Sequence, residues 1–181
     1  MDLVNTGGAR DPRDLVIVFL DLSTFTLDAR CTDDARLAEF VSDYYERVGR
    51  HASLAGGAVV KFIGDGALLV FSPARADDAI AALFALKHEV DAWLGREGWG
   101  SRLVVKVHSG TVIAGSFGGH GAGQDRFDVI GSEVNVAARL PTRSFAISPQ
   151  AFRLLSPTGR RRFKKHTPPI TYIPVEDRHP A

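Results

Sequence analysis

An α+β fold with the element order β-α-β-β-α-β is predicted for this sequence. Short apolar runs rich in Val, Ile and Phe end at glycine or aspartate, which is typical of strands bounded by turns. Two longer segments between them carry apolar residues at the i, i+3, i+4 spacing of an amphipathic helix. Chains with this order fold as a split βαβ, ferredoxin-like unit, in which an antiparallel sheet carries both helices on one face.

The first strand is predicted in the apolar run LVIVFLDL, which contains Asp21 near its end. Residues 1–13 carry Gly, Pro and charges without periodicity, so we interpret them as a flexible lead-in to a single domain over residues 14–181. The first helix is expected to begin at Thr32-Asp33-Asp34, an N-cap with an acidic first turn. Its apolar face is formed by Leu37, Phe40, Val41, Tyr44 and Val48.

Two β-rich runs, residues 59–63 and 67–71, flank Gly64-Asp65-Gly66 and predict a tight hairpin with Asp65 in its turn. A second amphipathic helix and two further strands, residues 103–108 and 111–114, follow. The apolar face of that helix is formed by Ile80, Leu83, Phe84, Val90, Trp93 and Leu94.

The last third of the sequence is less regular. GSFGGHGAGQDRF is rich in glycine and is predicted to form a mobile loop. A short strand at residues 127–130 and a short helix at residues 133–140 are expected after it. The tail has the character of a strand around residues 170–175, with prolines at its ends.

Composition excludes several classes of protein. The chain is 45% hydrophobic with a net charge of +1, and therefore lacks the basic excess of a dedicated nucleic-acid binder. The single cysteine, Cys31, excludes an intramolecular disulfide. No apolar run approaches the ~20 residues that span a bilayer, and the N-terminus lacks the apolar core of a signal peptide. We expect a cytoplasmic protein whose partners are neither nucleic acid nor membrane.

Two carboxylates are expected to converge in the predicted sheet. Asp21 ends the first strand and Asp65 lies in the hairpin turn, and the first and central strands of a ferredoxin-like sheet are neighbours. Close carboxylates repel each other unless they share a proton or bind a divalent cation. Alternatively, each aspartate only caps a turn. Asn135 and Arg139 share a helical face, although such an i, i+4 pair alone is more often solvated surface.

Four sequence blocks together resemble the catalytic domain of class III adenylyl and guanylyl cyclases. They are FLDLSTFT, VVKFIGDGALLVF, VHSGTVIAGSFGG and FDVIGSEVNVAARL, in the order and approximate spacing of that family. The resemblance runs from about residue 15 to residue 139, and more weakly to residue 172. It implies that Asp21 and Asp65, with the main-chain carbonyl of Leu22, hold two divalent cations, Mg²⁺ or Mn²⁺. Such cations lower the pKa of an attacking 3′-hydroxyl and neutralise a departing pyrophosphate.

The resemblance also implies which residues bind the nucleotide. Lys61 and Asp128 match the pair that selects the base: a lysine donates to adenine N1 and an aspartate accepts from the 6-amino group, whereas guanine presents the reverse pattern. Asn135 matches the residue that orients the ribose, and Arg139 the residue that stabilises charge on the α-phosphate. For a lysine on the terminal phosphates the candidates are Lys164 and Lys165. Their run, RRRFKK, is equally typical of a solvated basic surface.

The family forms its sites at the interface of a head-to-tail dimer. One chain supplies the metal aspartates and the other supplies the base-selecting, ribose and phosphate residues, so one sequence with both sets predicts a homodimer with two equivalent sites. The segment after Arg139 is shorter than in relatives, which leaves its helix about two turns long and could lower activity.

The sequence therefore predicts an adenylyl cyclase that converts ATP to cyclic AMP and pyrophosphate. One alternative is a guanylyl or relaxed-specificity cyclase, which Lys61 and Asp128 disfavour. Another is a non-catalytic, nucleotide-binding regulatory partner, in which the shortened segment prevents closure. A diguanylate cyclase would need a Gly-Gly-Asp/Glu-Glu-Phe turn, whereas this hairpin reads Ile63-Gly64-Asp65-Gly66.

Overall fold

A computed structural model of the chain describes residues 10–118 and 125–177. This part of the chain contains eight strands, all in one sheet. They are β1 (Asp11–Leu22), β2 (Ala58–Ile63), β3 (Gly66–Phe71), β4 (Leu103–Gly118), β5 (Asp125–Ile130), β6 (Phe145–Ile147), β7 (Phe163–His166) and β8 (Thr171–Pro174). The helices are α1 (Phe25–Ala29), α2 (Asp34–Leu54), α3 (Ala76–Arg96), α4 (Ser132–Ala138), α5 (Pro149–Leu154) and α6 (Pro157–Arg160).

The strand order is β2-β3-β1-β4-β6-β8-β7, with β5 paired to the outer part of β4. The first four strands pair antiparallel, with β1 between β3 and β4. This arrangement confirms the predicted ferredoxin-like unit. The second half of the chain extends the sheet beyond β4, beginning with the parallel pair β4–β6.

The two long helices, α2 and α3, pack on one face of the sheet over the larger core. Asp33 caps α2 as predicted, since its carboxylate accepts from the Arg36 amide at 3.0 Å. Phe40 stacks on Trp99 with 3.8 Å between ring centroids and lies 4.5 Å from Trp93, so α2, α3 and the turn after α3 share one aromatic cluster. Each such buried side chain contributes about 1.5–3 kcal/mol to folding, which explains why these helices form. Neither they nor any other described helix combines the length and apolarity needed to cross a membrane.

The opposite face of the sheet carries a smaller core and only the short helix α4. Its buried side chains are Leu15, Ile17, Leu68, Val70, Val112, Ala114, Val129 and Ala137. Side chains alternate along a strand, so Asp21 lies on the same face as Leu15 and Ile17. Lys61 does too, because it pairs across the hairpin with Leu68. Asp21 and Lys61 therefore both lie on the face that the long helices leave open.

The chain segment around Ser109-Gly110 corrects one prediction. It does not separate two strands, because β4 runs unbroken from Leu103 to Gly118. Ser109 and Gly110 pair with Val16 and Leu15 inside a twelve-residue register with β1. That long ladder supplies hydrogen bonds on both sides of the glycine and outweighs its local preference for a turn.

The glycine-rich segment is also more ordered than predicted. Its first four residues, 115–118, belong to β4, and β5 begins at Asp125. Residues 119–124, the middle of the predicted mobile loop, lie outside the described residues, as do residues 1–9 of the predicted lead-in. β1 begins at Asp11, three residues inside that lead-in.

Candidate active site

Asp21 and Asp65 lie next to each other at one end of the sheet. Asp21 is the second-last residue of β1, and Asp65 is in the two-residue turn between β2 and β3. Gly64 has a φ of 61°, which glycine adopts without strain, and this lets the hairpin close with Asp65 turned toward β1. The Asp65 carboxylate accepts from the Leu22 amide at 3.3 Å. The predicted convergence of the two aspartates is therefore present.

The two carboxylates repel each other. Burial, and then the charge of Asp65, raise the pKa of Asp21 above its ordinary value, while the nearby charge of Lys106 opposes this. Asp65 also hydrogen-bonds the protonated form of Asp21, which raises the pKa further. This end of the sheet therefore concentrates negative charge that a cation would relieve.

A cleft of about 220 Å³ opens beside Asp21. Strands β1 and β3, Ile63 at the end of β2, Lys106 of β4 and Ala138 at the end of α4 line it. A Cβ at Gly66 would lie 3.2 Å from the Leu20 carbonyl oxygen and 3.8 Å from Asp21 Oδ1, so a larger residue there would crowd the carboxylate.

The donor set fits Mg²⁺ or Mn²⁺, which prefer oxygen ligands. Within residues 10–118 and 125–177, no group of three or more His, Cys, Asp and Glu side chains could hold a metal. Two aspartates and a main-chain carbonyl are an incomplete shell, as expected of Mg²⁺ sites that take further ligands from substrate phosphates and water. Behind the pair, the Tyr44 hydroxyl is buried without a hydrogen-bond partner. Burial and the charges of Asp65 and Asp21 raise the Tyr44 pKa.

Lys61 and Asp128 form an ion pair. Lys61 Nζ lies 2.6 Å from Asp128 Oδ2, which joins β2 to β5 within one chain. Both side chains remain accessible, at 43% and 26% exposure. Lys61 and Asp128 are 67 residues apart in the sequence, and they meet because β2 and β5 are in contact in the folded chain.

Asn135 and Arg139 lie on α4 and are exposed. Arg139 is the C-cap of the helix, and its amide donates to the Asn135 carbonyl at 3.1 Å. Neither side chain has a hydrogen-bonding or ionic partner in the described part of the chain. Both are available to a ligand or a second chain.

Two side chains of β4 hold α4 at its two ends. His108 is buried, and its Nε2 lies 2.7 Å from Glu133 in the first turn of α4, while its Nδ1 lies 2.8 Å from the Ser148 hydroxyl. Lys106 Nζ donates to the Ala138 carbonyl at 2.8 Å. Sequence reasoning missed both residues. The signal was present in VVKVHSG, where two polar side chains two residues apart interrupt an apolar strand on one face.

Lys164 and Lys165 lie on β7, at the edge of the sheet and four strands from β1. The Lys164 ammonium donates to the Val175 and Asp177 carbonyls, at 3.0 and 2.6 Å. Lys165 is exposed and has no partner in the described part of the chain. Within one chain, neither lysine therefore lies near the aspartates. Of the two, Lys165 is the one whose ammonium has no hydrogen-bond partner among the described residues.

Comparisons with known proteins agree on the family. The chain matches the adenylate and guanylate cyclase catalytic domain over residues 9–167. An adenylate cyclase of Anabaena cylindrica is 29% identical over 143 residues, which make up 74% of this chain and 28% of that relative. The chain thus spans less than a third of the relative's length.

Solved structures share the fold. The adenylyl cyclase CyaB from P. aeruginosa aligns with a TM-score of 0.80 over 94% of this chain and 97% of its own, at 18% identity. The guanylyl cyclase Cya2 aligns with a TM-score of 0.76 over 90% and 92%, at 19% identity. The fold is thus common to adenylyl and guanylyl cyclases. Because the family match covers most of the chain and every block that carries the candidate site, the chain belongs to the adenylate and guanylate cyclase catalytic domain family.

Proposed function

We propose that this chain is an adenylyl cyclase, which converts ATP to 3′,5′-cyclic AMP and pyrophosphate. The observation that carries the choice of ATP is the ion pair between Lys61 and Asp128 at 2.6 Å. It presents one donor and one acceptor side by side, which complements N1 and the 6-amino group of adenine. Guanine would leave both unmatched, at a cost of about 1–3 kcal/mol for each group. The Anabaena cylindrica relative, an adenylate cyclase by name, also supports the proposal.

Asp21, Asp65 and the Leu22 carbonyl would hold two Mg²⁺ or Mn²⁺ ions. When bound, these cations make the 3′-hydroxyl more acidic and neutralise the charge of the leaving pyrophosphate. Burial and then the charge of Asp65 raise the pKa of Asp21, which supports this role because a bound cation would favour the ionised carboxylates.

Base recognition requires little rearrangement of the Lys61–Asp128 pair. A lysine ammonium has three donors and a carboxylate has two oxygens, so each can keep the other and still reach the base edge. The pair thereby holds itself in place before the nucleotide arrives, which lowers the cost of ordering it on binding.

Arg139 and Asn135 are proposed to act on the other end of the nucleoside. Asn135 would orient the ribose so that its 3′-hydroxyl faces the α-phosphate. Arg139 would place its guanidinium on the α-phosphate oxygens, where charge builds as the new ester bond forms. Removing a preorganised donor of this kind commonly lowers the rate by about 10²–10³.

A homodimer with two shared sites is proposed as the active form. Arg139 and Asn135 are exposed and have no partner within the described chain, as expected of groups that complete a site on another copy. Ile63 in the hairpin and Val136 on α4 are apolar yet 56% and 43% exposed, on the side of the sheet that the long helices leave open. Lys165, four strands from β1, would reach nucleotide phosphates only at a site formed with a second chain.

The test is cyclic nucleotide formation by the purified protein. ATP and GTP are each supplied with Mg²⁺ and, separately, with Mn²⁺, across a dilution series of the protein. Cyclic AMP from ATP, with specific activity that falls on dilution, is the expected result. Equal turnover of GTP would favour a relaxed-specificity cyclase, and nucleotide binding without any product would favour a regulatory role.

A further inference from the structure

Lys106 places a positive charge inside the cleft of the two aspartates. It lies on β4 directly opposite Phe19, while Asp21 lies opposite Val104, so Lys106 and Asp21 are diagonal neighbours on the same face of the sheet. Both line the cleft of about 220 Å³. Their mutual influence is direct, since the charge of Lys106 favours the ionised form of Asp21 and opposes part of the rise in its pKa.

The ammonium of Lys106 is held in place but not neutralised. Its hydrogen bond to the Ala138 carbonyl, at 2.8 Å, fixes it to the last residue of α4. In the described ranges it makes no ion pair with a carboxylate, unlike Lys61 with Asp128 or Lys87 with Asp91. A half-buried lysine without a counter-ion retains most of its field within the cleft, because the walls around it screen less than water does.

We propose that Lys106 acts as a fixed third cation of this site, which weakens the binding of free divalent metal and strengthens the binding of the nucleotide polyphosphate. Metal would then enter mainly together with the nucleotide, whose phosphates outweigh the repulsion. This inference rests on the proposed metal site and adds to it an order of binding, set by a residue of the chain itself.

The two effects have opposite signs, which separates them from a merely structural role. A unit positive charge several ångströms from a divalent cation costs about 1 kcal/mol even in a water-like dielectric, or roughly fivefold in affinity. The same charge attracts the polyphosphate. A variant that only loosened α4 would weaken both kinds of binding together.

The experiment measures two affinities in four variants. Binding of Mn²⁺ alone is followed by electron paramagnetic resonance, and binding of a methylanthraniloyl ATP in EDTA is followed by fluorescence. Lys106→Met removes the charge and the donor, Lys106→Gln removes the charge but retains a donor, and Lys106→Arg keeps the charge. Lys87→Met is the matched control, since Lys87 also donates to a main-chain carbonyl, that of Leu103.

We expect Lys106→Met and Lys106→Gln to bind Mn²⁺ roughly fivefold more tightly and the nucleotide more weakly, with Lys106→Arg and Lys87→Met close to wild type. Unchanged or weaker Mn²⁺ binding in the Met and Gln variants would overturn the inference. A further change, Asp21→Asn in the Lys106→Met background, tests the underlying site. If Mn²⁺ still binds equally tightly there, the proposed metal site is wrong, whereas its loss leaves that site standing whatever Lys106 does.

Discussion

At the scale of single residues, the site is built from charges that are placed at a cost. Asp21 is ionised less readily than a free aspartate, and the Tyr44 hydroxyl behind the pair is buried without a partner. Groups of this kind weaken the metal-free protein and are typical of sites that gain their stability from a ligand. Two sets of substitutions test the site at this scale. The first measures the effect of the Asp21 charge on stability, and the second measures the selection of the base by Lys61 and Asp128.

Asp21→Asn is expected to stabilise the metal-free protein at pH 7 while abolishing cyclase activity. The folded pKa of Asp21 is raised, so its ionisation destabilises the folded state, and the asparagine removes that charge. The gain should shrink as the pH falls toward and below the ordinary value of 3.8, where both states are protonated. Urea unfolding in EDTA from pH 3 to pH 7 measures it. Lower stability of the variant at pH 7 would contradict the raised pKa that burial and the charge of Asp65 give Asp21.

Lys61→Glu combined with Asp128→Cys is expected to lower kcat/KM for ATP by about a hundredfold. Each residue loses a matched hydrogen bond to adenine, at about 1–3 kcal/mol, and the new pair favours the donor pattern of guanine. Parallel kinetics with ATP and GTP measure the change. The double variant lowers the net charge by one unit, so loss of one charge at an exposed arginine outside the site, Arg30→Gln, controls for net charge. If ATP kinetics match the wild type, these residues do not select the base.

At the scale of elements, α4 is short but is held at both ends. The sequence predicts only about two turns for this helix, and the structure gives it seven residues. The Glu133–His108 contact at its start and the Lys106–Ala138 contact at its end compensate for the missing length. Gly110 makes room for the first contact, because a Cβ there would lie 2.6 Å from Glu133 Cγ.

Glu133→Gln is expected to remove part of the acid sensitivity of the fold. His108 lowers the pKa of Glu133, so the ionised carboxylate stabilises the folded state. This contribution is complete above the ordinary value of 4.5 and is lost as the pH falls through the lowered folded value. Unfolding free energies from pH 3 to pH 7 should therefore converge for wild type and variant at the acidic end. A constant difference across that range would show that the charge of Glu133 is not involved.

The elements that the sequence predicts are those with a strong local signal. α2 and α3 have long apolar faces and the β2–β3 hairpin has a glycine turn, and all three form as expected. β6 has three residues and α5 has six, so neither carries a full period of its pattern, and both depend on contacts with β4. The candidate site residues up to Arg139 could be named because the family's blocks contain them, and their roles stay predictions. Lys106 and His108 show in the sequence only as polar residues in an apolar strand, and their contacts could not be predicted, because α4 is distant in sequence and adjacent only after folding.

At the scale of the whole molecule, the proposed homodimer divides the residues of the proposed site into two sets, one from each chain. Asp21 and Asp65 form one set. Arg139 and Asn135, which are exposed and have no hydrogen-bonding or ionic partner among the described residues, form the other. A closed, two-fold arrangement of two chains would pair each set with the other and form two identical sites. This arrangement predicts that defects in different sets complement each other.

Asp65→Ala and Arg139→Ala should each be inactive alone, and an equal mixture should recover about a quarter of wild-type activity. Half of the randomly formed dimers are heterodimers, and each of these has one intact site of two. Cyclic AMP formation measures the recovery, with heterodimers counted by differential tags. The matched control mixes Asp65→Ala with Asp21→Ala, whose defects lie in the same set and leave no intact site in any dimer. Recovery in both mixtures, or in neither although heterodimers form, would show that the sites are not shared in this way.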